Sequence, residues 1–410
     1  MSRRVAKWES IEGDLATPLG FRAAAVAAGI KKTPDALDLA LIFSDSPVTA
    51  AAGVFTTNRV AAAPVLLSRR NLAKSRGRCR AIVVNSGNAN ACTGKDGMHT
   101  AEETGRVTAG LLGIKPAQVL VASTGVIGVP LNPELILRQI PLLNERLSKD
   151  NAQAVAHAIL TTDKVPKTCV VRSELGGKAV HIAGIAKGAG MIHPHMATML
   201  SFITTDASIG ERMLQQLLAG AVKESFNCLT VDGDTSTNDT VFVLASGVSG
   251  SSVTSGNDSR AWFAAGLSLV CQTLARMIAR DGEGASKLVT VEVAGARSPL
   301  DADRVARAIA NSPLVKTALA GADANWGRIL CAAGYSGAKF DPNKVDVSVN
   351  SVMLCRKGVE AGFDEAAARR ELEKEELSLR VDLHAGKSTA RMWTCDFTRD
   401  YIDINASYRS

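Results

Sequence analysis

Apolar positions along this chain fall into two patterns: short continuous runs bounded by turn residues, and longer stretches at helical spacing. Ala81-Ile82-Val83-Val84 reads as a buried strand running into the turn-rich Asn85-Ser86-Gly87-Asn88-Ala89-Asn90. Thr100 to Leu112 reads as a helix. Val119-Leu120-Val121-Ala122 is a second strand, ending in Ser123-Thr124-Gly125, and Lys178 to Ile185 a third that leads into a loop at Lys187. Ser208-Ile209-Gly210-Glu211 has the spacing of a capping box, with Met213, Leu214, Leu217 and Leu218 following at helical intervals. Thr240 to Leu244 reads as a strand and Ala261 to Ile278 as a long helix stopping at Asp281-Gly282-Glu283-Gly284. Leu288 to Val293 is then a strand, Asp301 to Ala310 a helix, Val345 to Leu354 an alternating strand, Asp364 to Glu376 a charged surface helix, and Ala390 to Ile404 a strand. Gly247 to Gly256 reads as a surface hairpin loop. The mixture predicts an α/β protein of layered sheets and helices, with no tandem repeat. It does not give the strand order.

Composition narrows this little. A chain of 410 residues, 46% hydrophobic and 21% charged, is an ordinary globular composition with room for two or three cores. The net charge of +7 suits a small acidic substrate. It argues poorly for nucleic acid, because aromatics are only 4% and no long basic tract occurs. Arg69-Arg70 and the cluster from Arg76 to Arg80 read as a solvated loop. The eight cysteines are widely spaced without a C-x-x-C pair. Several, such as Cys271 and Cys331, sit among apolar neighbours, so the expectation is buried, reduced thiols. Met1 to Ser10 lacks the apolar core of a secretory signal, and no apolar run approaches the ~18 residues that span a bilayer. The expected location is the cytoplasm, with neither membrane nor nucleic acid as partner.

The chemistry concentrates in Lys187-Gly188-Ala189-Gly190-Met191-Ile192-His193-Pro194-His195-Met196-Ala197-Thr198. An internal threonine is a poor nucleophile, since its amide nitrogen accepts no proton. A cut between Ala197 and Thr198 frees that nitrogen as an amine, whose pKa of roughly 7.7–8.0 makes it a base near neutrality. Hydroxyl nucleophile and base then come from one residue. Alone, an Ala-Thr dipeptide carries little weight. His193 and His195 supply only two of the three or four ligands a zinc site needs, so no metal is expected.

Four further stretches bear on a site. Ser123-Thr124-Gly125-Val126-Ile127-Gly128 follows a strand. Its amides and the Thr124 hydroxyl suit an oxyanion, although a plain strand-end turn is the simpler account from spacing alone. Lys187 either pairs with a substrate carboxylate or is a solvated loop lysine. Glu283 lies at a helix end, where the dipole disfavours a carboxylate; it either meets a cationic partner or lies in a solvated turn. Asp232 to Asp239, dense in short polar residues, reads as a hydrogen-bonded turn bracing the site rather than a cation loop.

Together these stretches resemble the ornithine acetyltransferase / glutamate N-acetyltransferase family of arginine biosynthesis. The resemblance runs nearly end to end, through Gly53 to Asn58, Asn85 to Gly94, Ser123 to Gly128, Thr161-Thr162-Asp163, Lys187 to Leu200, Gly233 to Asp239, Asp281 to Gly284, and Ile404-Asn405-Ala406-Ser407-Tyr408. It implies a layered α/β sandwich similar to that of self-processing aminopeptidases. It implies self-cleavage into an α chain (1–197) and a β chain (198–410) that associate as an α2β2 heterotetramer. It implies ping-pong transfer of acetyl from N-acetylornithine to Thr198 and then to glutamate, without a cofactor, with acetyl-CoA an alternative donor in many members. Thr124 and Gly125 match the family's oxyanion hole. Thr161, Lys187, Thr198, Glu283, Asn405 and Ser410 match its substrate contacts. Lys164, His195, Ser286, Ser407 and Ser410 depart from the usual residues. Ser286 and Ser410 keep a hydroxyl where threonine is common, so Lys164 and Ser407 bear more on substrate preference than on chemistry. Two other classes fit the same residues: an N-terminal-nucleophile amidase releasing the acyl group to water, and a non-enzymatic binder of a small amino acid.

Overall fold

Alternate residues of strand Leu39–Ser44 serve two different cores. Ala40 and Ile42 point one way, while Leu39, Leu41 and Phe43 point the other, and all five are buried. The same split recurs in Ala81–Asn85 and Val119–Ser123, where Ile82, Val84, Leu120 and Ala122 oppose Ala81, Val83, Val119 and Val121. Both faces being covered explains why these strands read as unbroken apolar runs rather than as alternating ones.

The computed structural model describes residues 7–193 and 199–406. It resolves into two compact units, one of residues 1–188, 195–227 and 235–274, the other of residues 189–194, 228–234 and 275–410. The first unit holds a four-stranded sheet in the order Phe21–Val26, Leu39–Ser44, Ala81–Asn85, Val119–Ser123, antiparallel except for its last pair. It also holds a six-stranded sheet in the order Glu9–Ile11, Lys167–Leu175, Lys178–Lys187, Leu200–Thr205, Thr240–Ala245, Ala50–Phe55. The two sheets share a core in which Ala40, Ile82 and Leu120 join Ile185, Phe202, Phe242 and Leu244. Helices Ala63–Ser75 and Gly94–Leu112 pack on the far side of the smaller sheet. Val270 and Leu274 of the long helix Asn257–Arg280 lie against Gly184 of the larger one, where a Cβ would fall 2.7 Å from Val270. The result is helix, sheet, sheet, helix: the layered sandwich expected from the sequence. Helix Glu211–Lys223 guards the sheet's edge, because Gln215 occupies both the N–H and the C=O of Gly53, at 3.1 and 3.0 Å.

The second unit is built on a sheet in the order Val359–Glu360, Val352–Arg356, Asp346–Val349, Glu376–Asp382, Leu288–Ala296, Ser388–Cys395. Its core joins Val289, Val291 and Leu379 to Val305, Ile309, Ala332 and Leu372 of helices Pro299–Asn311, Trp326–Gly334 and Glu365–Leu372.

Several local expectations change. The helix after Ser208 is capped by Gly210, not by a serine box; Ser208–Ile209 instead pairs with Ser252–Val253 in a short parallel ladder, which also replaces the expected hairpin loop. The stretch from Val345 to Leu354 is a hairpin of two strands, turned at Asn350 with φ +49°. The charged helix ends at Leu372, and Glu376 opens a strand. The terminal strand stops at Cys395, and Arg399–Ala406 is helical. Arg78 and Arg80 are not merely solvated: Arg78 pairs with Glu211 at 2.8 Å, and Arg80 donates to Ser44 O over the Phe43 ring. Five cysteines are buried as expected, but Cys92 and Cys331 are exposed. One helix, Asp258–Arg280, does have the length and mean hydropathy (1.3) to cross a bilayer. Half of it is buried, with Phe263, Leu267, Val270 and Leu274 fully enclosed, as in a core helix. No continuous apolar run of that length occurs in it, as expected, and the helix alone says nothing of a membrane.

Candidate active site

The parallel pair Ala81–Asn85 and Val119–Ser123 runs out into two turns that are laced together. Thr124 N–H donates to Asn85 O (3.0 Å), Val126 N–H to Gly87 O (3.3 Å), Ala89 N–H to Val126 O (3.0 Å) and Gly128 N–H to Ala91 O (3.0 Å). Thr124 is buried. Gly125 sits at φ +134°, and a Cβ there would lie 2.3 Å from Gly87 C and 2.5 Å from Asn88 N. Only glycine permits that approach. Buried Asn238 ties the system from outside: its Nδ2 donates to Ala89 O (2.6 Å) and to Ser123 O (2.8 Å). So the turn holding Thr124 and Gly125 is fixed by two asparagines, Asn85 and Asn238, that sequence reasoning did not single out. Their signal was the density of short polar residues in both motifs.

Lys187 is the last residue of its strand and is buried, which removes the solvated-loop reading. Its Nζ donates to Thr161 Oγ1 at 2.7 Å and lies 3.6 Å from Asp163 Oδ2. Asp163 Oδ1 accepts from Lys167 Nζ (2.7 Å) and from Gly188 N–H (2.6 Å). Burial pushes the Asp163 carboxyl up, but Lys187, Lys167 and these donors outweigh it and hold the group well below the usual carboxylate range.

The segment from Pro194 to Thr198 lies outside the described residues, and with it Ala197 and Thr198; so does Ser410. What flanks that segment is tightly held. On its N-terminal side, in the second unit, Asp232 accepts from Met191 N–H (2.5 Å) and Ile192 N–H (2.8 Å), and Met191 takes a φ of +56°. On its C-terminal side, in the first unit, Asp239 Oδ1 accepts from Met199 N–H (2.9 Å) while Thr240 N–H donates to Met199 O (3.1 Å). Asp232 thus holds the flank within the second unit, and Asp239 the flank within the first. Burial drives the Asp239 carboxyl well above its ordinary value, against the Met199 amide and the charge of Lys187.

Within the second unit Glu283 is buried, which removes the solvated-turn reading. Its backbone N–H donates to Ala189 O (2.8 Å), and its carboxylate accepts from Asn405 Nδ2 (2.8 Å). A Cβ on Gly190 would fall 2.2 Å from the Glu283 carboxylate, so the second glycine of the Lys187 motif makes room for it. Tyr401 donates to Asp232 at 3.3 Å; burial, then the nearby Asp232 and Glu283 charges, push its hydroxyl up. Among the described residues no group of three or more His, Cys, Asp and Glu could hold a metal ion.

A family model described as the ArgJ family matches residues 22–410. The chain belongs to the ArgJ family. This is the family that the sequence motifs resemble. The arginine biosynthesis bifunctional protein ArgJ of Symbiobacterium thermophilum is 49% identical over 404 residues, spanning 98% of this chain and all of that one. Its namesake in Desulfotalea psychrophila is 51% identical over 393 residues, 95% of this chain and 99% of its own. Among solved structures, a chain of arginine biosynthesis bifunctional protein ArgJ from Bacillus halodurans is 47% identical with a TM-score of 0.50. It is matched over its whole length by 52% of this chain. For this ArgJ-family chain, then, the first unit joins Thr124 to Gly125 in one turn and Thr161 to Lys187 in one ion cluster, and the second unit joins Glu283 to Asn405.

Proposed function

We propose that this chain is an acetyltransferase of arginine biosynthesis that moves acetyl from N-acetylornithine to glutamate by way of an acetyl ester on Thr198. The observation that carries the reading is the match over nearly the whole chain, at about half identity, to proteins named for arginine biosynthesis. Cleavage between Ala197 and Thr198 frees the threonine amine. That amine takes the hydroxyl proton as the oxygen attacks the acetyl carbonyl. Thr124 and Gly125 face the resulting oxyanion, and the rigidity of their turn supports this role, since such donors work by being fixed in advance. Ornithine leaves as an amine protonated by the same ammonium, and glutamate then attacks the ester. Lys187 with Thr161 receives a substrate carboxylate, and Glu283 with Asn405 receives an ammonium.

Two observations support the cleavage. The strands on either side of it, Lys178–Lys187 and Leu200–Thr205, are antiparallel neighbours with Lys187 opposite Leu200, so a cut between them leaves the sheet hydrogen-bonded. The solved Bacillus halodurans chain corresponds to 52% of this one, the share that residues 198–410 make up of 410. The word bifunctional in the relatives' names favours acetyl-CoA as a second donor to glutamate. An α2β2 assembly in the cytoplasm completes the reading.

Denaturing intact mass of the purified protein tests it. Two species, divided between Ala197 and Thr198, are expected, together with amine-dependent release of ornithine from N-acetylornithine. Thr198→Ala is expected to remain one chain and to lose transfer. An uncut variant that still transfers acetyl, or steady hydrolysis of N-acetylornithine without glutamate, overturns the mechanism.

A further inference from the structure

Asp163 sits at the centre of a buried cluster in which one carboxylate serves two ammonium groups. Its side chain is fully buried, with Lys167 and Lys187 almost equally so at 1% and 3% exposure. Its four contacts differ in kind. Oδ1 accepts from Lys167 Nζ (2.7 Å) and Gly188 N–H (2.6 Å). Oδ2 accepts from Thr161 N–H (3.2 Å) and faces Lys187 Nζ at 3.6 Å. That last distance is an ion pair but too long for a hydrogen bond. Among the described residues, the Lys187 ammonium donates instead to Thr161 Oγ1 at 2.7 Å.

Two consequences follow. First, the nearer ammonium on Asp163 is that of Lys167, at 2.7 Å against 3.6 Å, so the Lys187 ammonium keeps its attraction for an arriving anion. Half-buried Lys31, whose Nζ donates to Leu37 O, adds to that attraction. Second, Asp163 grips the backbone of Thr161 and the residue after Lys187 at once. The hydroxyl, the ammonium and the chain between them are therefore set by one side chain.

We propose that Asp163 is a positioning residue that aims Lys187 and Thr161 at a substrate carboxylate. This rests on the reading of Lys187 as a substrate contact. Asp163 does not itself meet the substrate; it fixes where the ammonium stands and leaves it under-neutralised, because Lys167 takes the closer contact.

The competing account is that Asp163 only neutralises buried Lys167. The test compares wild type, Asp163→Asn, Lys167→Met and the double variant Asp163→Asn/Lys167→Met, each with N-acetylornithine and with its α-carboxamide. The double variant removes one charge of each sign, so Lys167 is not left unpaired and folding is protected. The expected result in the double variant is a KM for N-acetylornithine raised on the order of 100-fold, the scale of a misplaced contact. KM for the carboxamide and kcat at saturation stay close to wild type, and Lys167→Met keeps the preference for the carboxylate. Equal losses on both substrates, or an unaltered preference in the double variant, overturn this inference alone. A wild type inert toward N-acetylornithine overturns the proposed function and this inference with it.

Discussion

Replacing Gly125 by alanine tests whether the turn behind the proposed oxyanion hole is as fixed as its contacts imply. The added Cβ would lie 2.3 Å from Gly87 C, 2.5 Å from Asn88 N and 2.6 Å from Gly87 O. All three are backbone atoms, so no side chain can swing aside. Reaching ordinary contact requires the two turns to part by about 1 Å. The φ of +134° adds the strain of a glycine-only backbone region, about 1–3 kcal/mol. Parting the turns also breaks the Val126 N–H to Gly87 O and Ala89 N–H to Val126 O bonds, each worth about 1 kcal/mol. The total is about 3–5 kcal/mol, a large part of a typical folding free energy but short of all of it. Gly113→Ala is the control: it also has positive φ (+64°), at a helix C-terminus, but nothing lies within 4 Å of its Cβ, so it carries the strain alone. Urea unfolding of both variants, followed by circular dichroism and tryptophan fluorescence, reads the difference. Initial rates of acetyl transfer should fall on the order of 100-fold for Gly125→Ala, because donors displaced by about 1 Å no longer meet the oxyanion. A Gly125→Ala protein as stable as Gly113→Ala and fully active would refute the reasoning.

Four other outcomes are expected. The folded state holds the Asp239 proton more tightly than the unfolded chain, so the group costs stability as pH climbs above the ordinary aspartate value. Asp239→Asn should therefore be more stable than wild type by a margin that widens from about pH 4 to about pH 8, read from urea midpoints; a margin that does not change with pH rejects this. Asp163 has the opposite sign: its stabilisation is complete above the ordinary carboxylate range and disappears on acidification. Ellman's reagent should find Cys92 and Cys331 at once in folded protein, while Cys79 and Cys271, pushed up to about 12 by burial, react only on unfolding. Glu283→Gln should weaken N-acetylornithine more than acetyl-CoA in steady-state KM; equal effects on the two donors would remove Glu283 from ammonium recognition.

What was legible in the sequence was whatever local pattern decides. Buried strands such as Ala81–Asn85 and Val119–Ser123 announce themselves because both faces need apolar residues. Breaks were harder. The turn at Asn350 interrupts an alternating run without glycine or proline, and the tail to Ile404 has a composition that suits strand or helix equally. Only packing separates those states.

The family resemblance and the candidate site residues were legible in the sequence, because motif order and residue type survive without coordinates. Their states were not. Lys187 and Glu283 read equally well as solvated turn residues, and tertiary burial decided that they are not. That Asp163, Lys167 and Lys187 share one carboxylate follows from the pairing of Lys167–Leu175 with Lys178–Lys187, which sets Lys167 opposite Ala186. That Asn238 holds the turn before Thr124 follows from a contact across 115 residues. Periodicity reports which face of an element is buried. It says nothing of which distant element covers that face, and the charge and hydrogen-bond state of a buried group depends on that cover.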